Sequence, residues 1–278
     1  MLKSFADGRL FGGTWGSGVP SVLALHGWRR THADFTGVFD ADDPPGAVSA
    51  IGLDLSGFGA SPPPPEPWGT EEYASQLLPP FEEPGALAER IVVVGHSFGG
   101  RVAVHLGALV PERIERMVLC GVPLLDREGP RPRPAAAFRV ARRLHSLGLL
   151  GDDRMEEMRG RYGSADYRAA KGVMRDVLVR LLAEQYREAM AAVRCPVELI
   201  WGEEDTEVPV EVAVRAKAMF PSARLVTLPG IGHLLPTEAP RELREAVLGR
   251  DTKSQGPDAG NPGPQPAAAD DDPMAGSR

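Results

Sequence analysis

The chain is poor in cysteine, with only Cys120 and Cys195 among 278 residues. Two cysteines cannot build the disulfide framework of a small secreted domain. Both sit in strand-like surroundings, Met-Val-Leu before Cys120 and Pro-Val-Glu-Leu-Ile after Cys195, so buried free thiols are expected. No apolar run reaches the roughly 18 residues of a membrane-spanning helix, and no span is expected. The opening residues, Met-Leu-Lys-Ser-Phe-Ala-Asp-Gly-Arg, lack the apolar core of a signal peptide, which points to the cytoplasm. Positive charge is in deficit, 31 Lys and Arg against 38 Asp and Glu. The resulting net charge of −7 has the wrong sign for non-specific nucleic-acid binding. H-E-x-x-H, Walker and G-x-G-x-x-G patterns are all missing, so neither a metal nor a cofactor is expected. The oligomeric state is left open.

What is present is an ordinary globular composition, 42% hydrophobic and 25% charged, on a chain long enough for one sizeable core. The last 28 residues, 251–278, differ: five prolines, four glycines, five aspartates and one large apolar side chain, Met274. Such a stretch cannot bury enough apolar surface to offset its ordering entropy. It is expected to be a disordered tail, the folded body ending near Arg250.

In the body, short Val-, Ile- and Leu-rich runs at 21–25, 48–53, 91–94, 114–119, 197–201 and 225–228 read as strands. Runs apolar at successive positions suit strands buried on both faces, as in a parallel sheet. Helical spacing appears between them, at 70–81, 98–110, 210–220 and 237–248, and residues 2–15 predict one or two antiparallel edge strands. This alternation predicts an α/β fold, a mostly parallel sheet flanked by helices. It is interrupted between Val122 and Val193, where only helical patterns occur, at 135–147, 154–162 and 172–193. The expected organisation is a core of residues 1–122 and 194–250 with a helical cap, 123–193, over the carboxyl edge of the sheet. The stretch 131–194 carries 14 basic and 8 acidic residues, which reads as a basic cap on an acidic rim, as a means of drawing in an anionic substrate through arginines such as Arg139, Arg142 and Arg143, or as a surface that docks on a membrane or a partner.

The strongest local signal is Gly95-His96-Ser97-Phe98-Gly99-Gly100, which fits G-x-S-x-G, the nucleophile elbow. About 0.2 chance matches are expected in a chain of this composition, so context decides. Here a strand-like Ile-Val-Val-Val precedes the motif and a helical pattern follows it. A sharp strand-to-helix turn lifts a serine hydroxyl clear of the sheet, and side chains at Gly95 and Gly99 would collide within it. The turn also places the Phe98 amide at a helix start, where it can donate to an oxyanion.

A serine needs a base, and a basic histidine needs an acid to fix its tautomer. His233, in the loop after the last strand, is the candidate base; His105 reads as a packed helix residue, His32 and His145 as peripheral. Asp205, in Gly-Glu-Glu-Asp-Thr-Glu-Val-Pro after a strand, is the candidate acid. Asp126, after the preceding strand, is the runner-up, and Glu203, Glu204 and Glu207 read as solvated loop charges. A second oxyanion donor is expected from His26-Gly27-Trp28: Gly27 lets the chain turn, the Trp28 amide faces the pocket, and His26 orients the loop. The rings of Trp28 and Phe98 are candidate pocket walls, that of Trp28 equally a packed aromatic. Asp54 and the turn Gly57-Phe58-Gly59 read as structural, and Pro62 to Pro65 as a stiff polyproline connection or a docking peptide.

Taken with Asp54-Leu-Ser-Gly-Phe-Gly-Ala-Ser61, these segments resemble the α/β-hydrolase superfamily, in particular its capped esterase and C–C hydrolase type. The resemblance spans roughly 22–248 and keeps the order Ser97, Asp205, His233. It implies a serine hydrolase acting on a small carboxylic ester or related acyl compound through an acyl-enzyme. C–C bond hydrolysis, perhydrolysis and acyl transfer on the same triad are implied alternatives. A non-catalytic ligand-binding protein of the same fold is the rival of another class. Ser97 sets the chain apart from dehalogenases and epoxide hydrolases, which carry an aspartate there. The cap matches no family motif, so no substrate follows from it.

Overall fold

The computed structural model describes residues 2–6, 8–40, 48–126, 136–162 and 165–250. The tail expected at 251–278 lies outside the described residues. Eight strands form one sheet: β1 (Lys3–Phe5), β2 (Leu10–Trp15), β3 (Val22–Leu25), β4 (Ala50–Asp54), β5 (Ile91–His96), β6 (Ile114–Cys120), β7 (Val197–Gly202) and β8 (Ala223–Leu228). Their order is β1-β2-β4-β3-β5-β6-β7-β8. The pairs β1–β2 and β2–β4 are antiparallel and the rest parallel, so residues 2–15 supply the antiparallel edge as expected.

Every residue of β3, β4, β5 and β7 is buried, the mark of strands covered on both faces. Alternate side chains feed two cores: Leu23, Leu25 and Val93 point to one, Val22, Ala24, Val92 and Val94 to the other. The first is closed by α2 (Thr70–Gln76), α3 (Pro79–Glu82), α4 (Phe98–Leu109) and α10 (Val210–Lys217). The second is closed by α1 (Thr36–Phe39), α11 (Leu235–Glu238) and α12 (Pro240–Leu248).

The helical stretch between β6 and β7 holds α5 (Ala136–Ser146), α6 (Asp152–Tyr162), α7 (Ala165–Ala169), α8 (Val173–Leu181) and α9 (Arg187–Ala192). Its described residues contain no strand. Two of its helices reach loops at the carboxyl ends of the strands. In α7, Asp166 pairs with Arg29 (3.4 Å), in the loop after β3; in α8, the Met174 sulfur lies against Gly57, in the loop after β4, where an added methyl would clash with it. Beyond α8, Glu184 accepts from Thr70 N (3.1 Å), Thr70 Oγ1 (2.7 Å) and the Tyr186 hydroxyl (2.8 Å), which fastens the segment to α2.

Three expected helices are broken. The pattern at 70–81 divides before Pro79, and that at 237–248 divides at Pro240, because proline lacks the amide a continuing helix requires. The pattern at 172–193 divides where Glu184 and Tyr186 turn back onto α2. Apolar spacing alone ran through all three breaks.

Candidate active site

Ser97 stands between β5 and α4 with φ 49° and ψ −114°, one of three described non-glycine residues at positive φ. Such a backbone costs about 1–3 kcal/mol and persists only where its surroundings enforce it. They do so here. Ser97 N donates to Cys120 O (3.0 Å) and Gly99 N to His26 O (3.0 Å), so the turn is pinned to two neighbouring strand ends. A methyl group at Gly95 would come within 2.6 Å of Gly100 Cα, and one at Gly99 within 2.2 Å of Leu25 O. Both glycines of the motif are therefore dictated by backbone packing.

His233 lies in the loop after β8. Its Nδ1 is 2.8 Å from Asp205 Oδ2. An ionised carboxylate only accepts, so Nδ1 carries the proton and Nε2 is left with its lone pair. Asp205, 4% exposed, also accepts from the amides of Glu207 (2.9 Å) and Val208 (2.7 Å), which fix it in the loop after β7. Asp126, the alternative acid, is exposed, and its main-chain carbonyl accepts from Arg215 (3.0 Å). Of the two, the structure brings Asp205 to His233.

His96, next to the serine, links the elbow to the histidine loop. Its ring is 5.0 Å from that of His233, centroid to centroid, and its Nε2 donates to the His233 main-chain carbonyl (2.9 Å). Burial pushes its pKa down to about 3, so the ring is neutral. Ser97 Oγ itself makes no hydrogen bond with His233 in this structure. Such bonds are often long in the absence of substrate.

Of the two amides expected to hold an oxyanion, neither that of Phe98 nor that of Trp28 donates to a protein acceptor among the described residues. Phe98 N belongs to the first turn of α4, whose amides have no intrahelical partner. Next to Trp28, a methyl at Gly27 would come within 2.9 Å of His96 Nδ1. His26 is fully buried, donates from Nδ1 to Gly27 O (2.7 Å) and accepts at Nε2 from Leu55 N (3.0 Å). Burial lowers its pKa to about 4, and its two ring nitrogens tie the loop after β3 to the residue that follows β4. The Trp28 ring packs on Phe58 (4.8 Å) and Phe98 (5.6 Å), and Phe98 packs on Tyr73 (5.0 Å). Trp28 is thus a packed aromatic, partly buried against the first core.

Three features escaped the sequence. His32 is not peripheral: its Nδ1 (2.7 Å) and amide (2.8 Å) both bond to Asp54 Oδ1, while Asp54 Oδ2 accepts from Ala60 N (3.1 Å). Twenty-two residues separate the pair, and only the parallel register of β3 and β4 brings them together. Gly121, at φ 59°, ends β6 so close to His233 that a methyl there would lie 3.0 Å from Nδ1. Glu207 is 70% exposed, as a solvated charge should be, yet its Oε2 is 3.6 Å from His233 Nε2. Both ring nitrogens of the histidine therefore face carboxylates. As expected, Cys120 and Cys195 are buried free thiols; burial raises the pKa of both, that of Cys195 to about 11.

No helix among the described residues is long and apolar enough to cross a membrane. A cleft of about 510 Å³ opens among the helices that follow β6, lined in part by Phe138, Glu156, Arg159, Tyr167, Arg175 and Asp176. Its charges largely cancel, since Arg175 pairs with Glu156 and lies over the Tyr167 ring (5.2 Å).

The chain is similar to the hydrolase YugF of Bacillus subtilis (strain 168), 30% identical over 176 residues. That match covers 57% of this chain and 64% of YugF, so less than two thirds of the relative is spanned. It is 28% identical over 242 residues to the pimeloyl-[acyl-carrier protein] methyl ester esterase of Aromatoleum aromaticum (strain DSM 19018 / LMG 30748 / EbN1), covering 77% of this chain and 91% of that enzyme. In fold it resembles Est816, described as an N-acyl homoserine lactone degrading enzyme, with a TM-score of 0.65 at 21% identity over 88% of this chain and 98% of the other. The model of the alpha/beta hydrolase family matches residues 22–246. With that match running from the first parallel strand into the last helix, the chain belongs to the alpha/beta hydrolase family.

Proposed function

We propose that the chain is a cytoplasmic serine hydrolase that cleaves a small carboxylic ester or related acyl compound through an acyl-enzyme. The observation that carries this proposal is the Asp205–His233 bond of 2.8 Å, set against a strained Ser97 at the elbow. Ser97 Oγ attacks the carbonyl carbon while His233 Nε2 takes its proton. The oxyanion that forms is held by the amides of Phe98 and Trp28. The carbon–oxygen bond to the alcohol then breaks, and the alcohol leaves with the proton from His233. Water, activated by the same nitrogen, releases the acid and restores Ser97. Asp205 holds the tautomer that leaves Nε2 basic and stabilises the imidazolium. No step requires a metal. Ester chemistry is favoured by the names of the relatives, one a methyl ester esterase and another a lactone degrader.

Residues 1–122 and 194–250 make up the core in this proposal, and the helices of 123–193 its cap. The contacts of Met174 with Gly57 and of Asp166 with Arg29, both in strand-end loops, support that division.

A panel of esters of varied acyl length and charge tests the activity. The Ser97→Ala and His233→Ala proteins are expected to lose on the order of a million-fold in kcat, and Asp205→Ala about ten-thousand-fold. Full activity in Asp205→Ala with loss in Asp126→Ala would move the acid to the end of β6. Turnover unchanged in Ser97→Ala would remove the acyl-enzyme altogether.

A further inference from the structure

The helix α5 has a surface that the proposed chemistry does not use. Val140 (58% exposed), Leu144 (36%) and Leu147 (63%) follow one another at i, i+4 and i+7, and Leu149 (70%) extends the row past the helix end. At that spacing they form one stripe. It is not the face by which α5 packs: Ala141 is 7% exposed and marks the packed side, against α6. Arg139 and Arg143 run along the other edge of the stripe, one turn apart, both exposed. Neither guanidinium has an ion-pair partner among the described residues. No acidic residue occurs from Ala136 to Ser146. A solvent-facing row of leucine and valine bordered by unpaired arginines has the make-up of a helix that lies in a membrane interface.

We propose that α5 docks this chain, in the plane of the bilayer, onto a lipid surface bearing anionic headgroups. The leucines and Val140 enter the headgroup boundary, and the arginines meet the negative lipids. Charge favours this occupant over a second copy of the chain. Two α5 faces brought together would oppose arginine to arginine, whereas an anionic bilayer neutralises both. The rest of the molecule orients the approach: a chain of net charge −7 with one basic apolar face turns that face towards a negative surface and the remainder away. The stripe is also poor in the tryptophan and tyrosine that anchor most protein interfaces, which argues against a protein partner. The helices that touch the strand-end loops are α7, through Asp166, and α8, through Met174, so α5 can engage lipid without loosening the neighbourhood of Ser97.

The test is sedimentation of the full chain with vesicles, one set of pure phosphatidylcholine and one of equal parts phosphatidylcholine and phosphatidylglycerol. The protein is expected to pellet with the mixed vesicles at low salt and to be released as salt rises. The variant Arg139→Gln/Arg143→Gln should lose on the order of 20-fold in partitioning, about fivefold per arginine. Leu144→Ser/Leu147→Ser should weaken binding at every salt concentration. All four positions are exposed, so both variants should melt with the wild type. No pelleting with the mixed vesicles at low salt, or equal pelleting of wild type and arginine variant, would overturn the proposal. So would a dimer in sedimentation equilibrium that Leu147→Ser dissolves and vesicles do not compete for. The assay reads no chemistry, so its outcome is separate from that of the ester panel.

Discussion

His233 stands between two carboxylates, and each has its own consequence. Asp205, buried and bonded to Nδ1, fixes the ring. Glu207, mostly in solvent, lies 3.6 Å from Nε2, the nitrogen that the proposed mechanism requires to take the proton of Ser97. A pair with a solvent-exposed partner contributes only about 0–1 kcal/mol. Glu207→Gln is therefore expected to change kcat/KM for an ester by less than about fivefold, against the roughly ten-thousand-fold loss in kcat expected of Asp205→Ala. A loss in Glu207→Gln approaching that of Asp205→Ala would make the exposed carboxylate the one on which the histidine depends. Residue identity did announce much of this site: a short Gly-flanked serine, an aspartate before Val-Pro and a Gly-His pair are all visible in one dimension. The role of Glu207 was not, because nothing in a loop rich in acids says which of them bends back over the ring.

At the scale of elements, the site depends on how closely the ends of β3, β5 and β6 approach one another. Gly99 sits under the carbonyl of Leu25, and an added methyl would come within 2.2 Å of that oxygen. The strand end cannot yield without moving His26 and the Trp28 amide. Gly99→Ala should therefore destabilise by about 1–3 kcal/mol or more, a fall in Tm of roughly 2–12 °C. Activity should fall further than stability, since the displaced loop carries the Trp28 amide, proposed above as an oxyanion donor. Thermal melting and ester hydrolysis on one preparation check both; an unchanged Tm would mean the loop is softer than its packing implies. Strands were legible because β3, β5 and β7 are apolar at nearly every position, a pattern that only double-sided burial explains. Helix ends were less so. The breaks at Pro79 and Pro240 have a local cause that periodicity overlooks, and the turn at Glu184 is set by a bond to Thr70, 114 residues away.

For the whole molecule, two neutral histidines buried beside the site couple stability to pH. His26 and His96 are held near pKa 4 and 3, below the ordinary imidazole value of 6.5. The unfolded chain therefore takes up protons first as pH falls. Stability from these two residues is whole above about pH 6.5 and drains away towards about pH 4 and below. Tm is expected to decline from about pH 6.5 downwards, more shallowly in His96→Gln, whose amide can still donate to the His233 carbonyl. Identical slopes in the two proteins would show that His96 does not stay neutral in the fold.

Everything proposed for this site depends on Ser97 being a nucleophile made reactive by its turn and by His233. Treatment with a fluorophosphonate, followed by intact mass and peptide mapping, reads that reactivity. One adduct per chain is expected, on the peptide containing Ser97, absent in Ser97→Ala and slowed by orders of magnitude in His233→Ala. A chain that stays unmodified under conditions that label other serine hydrolases, or that is labelled equally in Ser97→Ala, would contradict the account.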